Sequence, residues 1–164
     1  MRRTLHTALG GIAAVLVLTG TAAAGSKSKS PGEQAFPRLS TTDGAPLELA
    51  ARPGSPADQI ARQLMAPEIA KARAHGDNPL VLVGMARLND RDEMLFVQLQ
   101  SPRECGSAGC STASFKNVNG RWIRTMDTVG GLVRIAASRH RGMPDVIMDG
   151  NRLIWDGARY RDVG

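Results

Sequence analysis

The chain has 164 residues and a formal charge of +6, with only three Phe, two Trp and one Tyr. So few rings leave any core to aliphatic side chains and supply none of the interleaved aromatics that stack bases, so no nucleic acid partner is expected. Beyond residue 24 no apolar run is long enough to cross a bilayer, and no stable membrane anchor is expected either.

The first 24 residues read as a secretory signal peptide. Arg2 and Arg3 precede the apolar run IAAVLVLTG, and the small residues Ala22 and Ala24 set up cleavage after Ala24. No cysteine follows the run, which closes the lipoprotein route. The two arginines leave with the signal, which takes the formal charge from +6 to +4. The localisation expected is periplasmic or secreted. Residues 25–54 are rich in Ser, Lys, Pro, Gly, Thr and Ala, a composition with too little apolar surface to offset the entropy of ordering, and they read as a flexible lead-in.

The folded domain is expected over 55–164. Ser55, Pro56 and Asp58 fill the N-cap, N1 and N3 positions of a helix that runs toward Ala74. Ile60, Leu64 and Met65 share one side of it, Pro67 kinks or splits it, and Gly76 ends it. His75 falls at its end and reads as an exposed capping residue rather than a base.

From Asn78 onward the apolar period becomes two. Leu80 to Leu88 is apolar on both faces, as in a well-covered strand. Met94 to Gln100 puts Leu95, Val97 and Leu99 on one side. Asn119-Gly120 predicts a two-residue hairpin that sets Phe115 with Trp122, and Ala113 with Met126, on common faces. Leu132 to Ser138 follows with Val133, Ile135 and Ala137 inward. Asp149-Gly150 and Asp156-Gly157 predict two more tight turns; pairing across the second places Leu153 opposite Tyr160 and Trp155 opposite Ala158. Arg152, Arg159 and Arg161 then lie on the other face. The fold class expected is mainly β (α+β), one N-terminal helix followed by an antiparallel meander of about six to eight short strands.

The two cysteines, Cys105 and Cys110 in CGSAGC, are most simply one small disulfide loop in an exported chain. A redox site needs the closer C-x-x-C spacing, and a metal site needs two further ligands, for which His75, His140 and acidic residues remain. Asp149, Asn151 and Asp156 lack the regular spacing of a calcium loop, and turn chemistry accounts for them. Neither metal nor cofactor is expected. The densest polar constellation is Arg139 to Asp145, read as a loop, in which His140 is a candidate general base oriented by Asp145, with no nucleophile beside them in sequence.

CGSAGC, NGRW, RHRGMPDVIMDG and WDGARY together resemble small exported proteobacterial proteins carrying CGxxGC, HxGxPD and W-DG-x-x-Y segments. The likeness runs from Glu104 to Tyr160, about a third of the chain, and implies an exported β domain without indicating an activity. G-x-P-D-V-I is also similar to blades of FG-GAP-like repeats, which bind calcium through a denser acidic loop than this chain has. The function expected is a non-enzymatic exported binding module whose Arg152, Arg159 and Arg161 meet an acidic protein or an anionic envelope polymer, with neutralisation of an envelope-acting protein as its specific form. A small hydrolase using His140 and Asp145 and a structural envelope protein without a discrete ligand are the alternatives.

Overall fold

The computed structural model describes residues 44–88 and 92–163; the expected signal peptide and the lead-in up to residue 43 lie outside the described residues. The described residues are mainly β, with two antiparallel sheets and two helices among them. Strands β2 (Leu80–Arg87), β3 (Glu93–Gln100), β5 (Gly109–Val118) and β6 (Arg121–Gly130) make the first sheet in that order, with the two-residue β4 (Cys105–Gly106) paired to the start of β5. The second runs β1 (Ala45–Leu47), β7 (Val133–His140), β8 (Met143–Met148), β9 (Asn151–Trp155), β10 (Tyr160–Asp162).

Two layers of cover follow from β2 and β3 being apolar on both faces. One face, with Val81, Val83, Leu95, Val97, Leu99, Ala113 and Phe115, is closed by Ala61, Met65 and Ile69 of the helices. The other, with Ala86, Met94, Phe96 and Met126, is closed by Leu47, Ile135, Val146, Leu153, Trp155 and Tyr160 of the second sheet. A single meander under one helix would leave the second face wet, which is why the expected meander is instead divided. The division falls at Gly130-Gly131: a Cβ on Gly130 would stand 2.5 Å from the Met148 side chain and 2.7 Å from the Asp149 carboxylate.

The helical stretch divides too. Ser55 caps α1 (Pro56–Leu64), its hydroxyl accepting from the Asp58 amide. Met65 then leaves helical geometry, and α2 (Ala66–Ala74) restarts with Pro67 in its first turn. Gly76, at φ +85°, and the Asp77 amide on the Ala72 carbonyl end it in a Schellman-type cap.

Residues 44–54, expected within the lead-in, are not all loose. Leu47 is buried, β1 pairs with β7, and Ala50 exchanges both backbone hydrogen bonds with Val83 of β2. This short segment therefore links the two sheets along one side, and its single buried leucine is too small a signal to stand out from the Pro/Gly-rich run around it.

Three hairpins turn on two residues with positive φ, as type I′ geometry requires: Asn119-Gly120, Arg141-Gly142 and Asp149-Gly150. Two registers differ from expectation. A bulge at Thr125 shifts β6 by one residue, so Ala113 faces the helices while Met126 faces the second sheet; Phe115 and Trp122 do share a face. Trp155 pairs with Tyr160, so Asp156 to Arg159 form a four-residue loop. The two-residue slip keeps Leu153, Trp155 and Tyr160 on the apolar side.

Candidate functional site

The stretch expected as a loop from Arg139 to Asp145 is a hairpin, and a second bulge shapes it. Ile135 pairs with Val146, but Arg139 pairs with Pro144, so Ala136, Ala137 and Ser138 stand against the single residue Asp145. The bulge turns Ala136 inward and Ala137 outward, reversing the expected facing of Ala137. It also gathers Ser138 and His140 over Asp145, on the side of the sheet away from the core, where β9 brings Arg152.

Asp145 is fully buried beneath these partners. His140 Nδ1 lies 2.6 Å from Oδ1, Ser138 Oγ donates to Oδ2 at 2.5 Å, and Arg152 Nη1 donates to Oδ2 at 3.0 Å and to Ser138 Oγ at 2.6 Å. Burial alone would raise the Asp145 pKa, but the hydrogen bonds from Ser138, His140 and Arg152 outweigh it and hold the carboxyl below its ordinary value. His140 is half-exposed and meets the carboxylate through Nδ1, the orientation a general base needs. Ser138, two residues before His140, gives its proton to the carboxylate and not to the imidazole. A nucleophile relay requires the opposite order of contacts, base between serine and acid.

The three outward arginines separate into two environments. Arg152 is held by the buried carboxylate. Arg161 Nε meets Asp156 Oδ2 at 2.8 Å, while the guanidinium of Arg159 has no hydrogen bond or ion pair among the described residues. The Arg161 contact and the amides of Arg159 and Ala158 hold the Asp156 carboxyl far below the usual range. Arg159 and Arg161 line a groove of about 430 Å³ between β10 and β6, the sides of the two sheets remote from β1. Arg124, Thr125, Met126 and Asp127 form the facing wall, with Tyr160 also lining it. Arg124 is fixed there by Glu68 at 2.6 Å, by Asp127 at 2.8 Å and by the Phe115 ring, whose centroid is 5.1 Å away. The sequence marks Arg124 only as one charge among many, because Glu68 and the β10 wall of the groove are brought to it by the tertiary fold.

Cys105 and Cys110 form a disulfide between paired positions of β4 and β5. His75 Nδ1 lies 2.8 Å from the Lys71 carbonyl at the end of α2, a capping contact. Asp149 binds the amides of Gly131 and Leu132, anchoring the crossover between sheets, and Asp156 binds those of its own loop. Among the described residues no three His, Cys, Asp or Glu converge as metal ligands, and no helix is long and apolar enough to cross a membrane. Comparison with protein families, curated proteins and solved structures finds no match.

Proposed function

We propose that the protein is an exported, non-enzymatic binding module that holds an acidic partner protein against the β6–β10 groove. The observation that carries this reading is the lining of that groove: Arg159, unpaired among the described residues, stands with Arg161 and Arg124, whose guanidiniums are held in place by Asp156 and by Glu68 and Asp127. Guanidinium forks fixed in place favour planar, bidentate contacts to carboxylates. Export rests on the signal-like first 24 residues and agrees with a disulfide, which persists in an oxidising compartment. Arg152 leaves the binding set, since it is held on Asp145 and does not line the groove.

A second reading, a small hydrolase with His140 as general base and Asp145 orienting it, rests on their 2.6 Å contact. Paired assays separate the two. Capture of acidic proteins from periplasmic extract should weaken in Arg159→Gln/Arg161→Gln and persist in His140→Ala. Loss of a hydrolytic activity in His140→Ala, with the arginine variant fully active and capture unchanged in both, would favour the enzyme.

A further inference from the structure

The groove lies between two strand edges. β6 pairs only with β5, and β10 only with β9, so each sheet ends at the groove with one side of its terminal strand unpaired among the described residues. The opposite side of the molecule is different, because there β1 pairs with β7 and Ala50 bridges to β2. An unpaired edge presents a row of free amides and carbonyls, and natural edges are normally blunted by charge, by bulges or by being very short. β10 is blunted by its three residues; β6 has ten and carries its bulge at Thr125.

Building on the binding reading above, we infer that the partner is engaged as an extended acidic segment that adds to the free edge of β6. Its backbone would pair with β6, and its carboxylates would meet Arg159 and Arg161 across the groove. Strand addition takes affinity from main-chain hydrogen bonds and specificity from side-chain contacts along the edge. Both are present here. Val118 and Arg121 flank the two-residue turn and point their backbone groups at each other, so by alternation the amides of Trp122 and Arg124 point away from β5. In the adjoining groove Arg124 and Arg161 are paired with Glu68, Asp127 and Asp156, and the guanidinium of Arg159 is the one left to meet a carboxylate on the incoming strand, where a basic strand would be repelled.

The test uses the purified chain with an end-blocked octapeptide alternating Glu and Val, its Lys-for-Glu counterpart, a version N-methylated at alternate backbone amides, and inorganic polyphosphate. Titration calorimetry should show binding of the Glu peptide alone among the peptides, weakened about tenfold or more by Arg159→Gln/Arg161→Gln. Amide exchange at Trp122 and Arg124 should slow in its presence, and N-methylation should abolish both effects. Binding that depends on the arginines but leaves β6 exchange unchanged, or survives N-methylation, would overturn strand addition while leaving the binding module standing. Arginine-dependent binding of polyphosphate without the peptide would replace the acidic segment by an anionic polymer. Failure of every anion to bind would remove the binding reading together with this one.

Discussion

Asp145 shows how much one carboxylate organises on the outer side of the second sheet. It is buried, ionised, and held by a serine, a histidine and an arginine that reach it from two strands. Asp145→Ala leaves Arg152 without its counter-charge and should cost about 3 kcal/mol, as breaking a buried pair does. His140→Ala, at a half-exposed partner, should cost less than about 1 kcal/mol. Because the folded state lowers the Asp145 pKa, its contribution is complete above the unfolded value of about 4 and fades as pH falls below it. The melting temperature of the wild type should therefore fall more steeply than that of Asp145→Asn between about pH 5 and pH 2; parallel curves would show that Asp145 is not the group titrating. The pairing of His140 with Asp145 was legible from their spacing. Ser138 and the commitment of Arg152 were not, since both depend on a two-residue bulge that leaves no mark in the periodicity.

Tyr160 supplies a control at the same scale. Its ring packs edge-on against Trp155 at 5.3 Å and its hydroxyl donates to the Pro144 carbonyl at 2.8 Å. Burial raises its pKa, the Asp145 charge adding to the effect, so its stabilising contribution is complete below about pH 10 and declines above it. Tyr160→Ala should cost about 3–5 kcal/mol by emptying the core, whereas Arg159→Gln should stay within about 0.5 kcal/mol in urea unfolding. The reverse ranking would mean that the faces of the β9–β10 hairpin are inverted.

Among the elements, the turns were the easiest to read and the registers the hardest. Asn119-Gly120 and Asp149-Gly150 announce their hairpins by composition, whereas Arg141-Gly142 hides behind an arginine in the left-handed region, a place such residues rarely occupy. Alternation also identified the apolar side of β9 and β10 even though their pairing slips by two. β1 was missed because three residues with one buried leucine offer no period to detect. That segment nevertheless joins both sheets, with Arg134 Nη2 donating to the Gly44 carbonyl at 2.9 Å as a further tie. Deleting residues 44–50 should lower the urea midpoint sharply, costing about 3 kcal/mol or more through loss of Leu47 burial and of the Ala50–Val83 bridge. An unchanged midpoint would show that the two sheets hold without their link.

For the whole molecule, helices, first sheet and second sheet stack so that the inner sheet is covered on both faces, and the two sheets are linked along β1 and open along β6 and β10. The mainly β character and the disulfide were legible from periodicity and cysteine spacing. The division into two sheets was not, because it rests on the crowding at Gly130, a tertiary fact. The groove is a product of that division, and it places Arg159 and Arg161 beside Arg124 instead of on an open face. Its role in binding acidic partners is best tested by fluorescence anisotropy with labelled poly-L-glutamate, comparing Arg159→Gln/Arg161→Gln with Lys71→Gln/Arg73→Gln. The second pair lies on exposed positions of α2 and removes the same charge. At physiological ionic strength, where exposed charges are screened beyond about 8 Å, the groove variant should bind about tenfold more weakly than the wild type and the helix variant within about twofold. Equal weakening by both pairs would reduce the attraction to net charge and contradict a binding site in the groove.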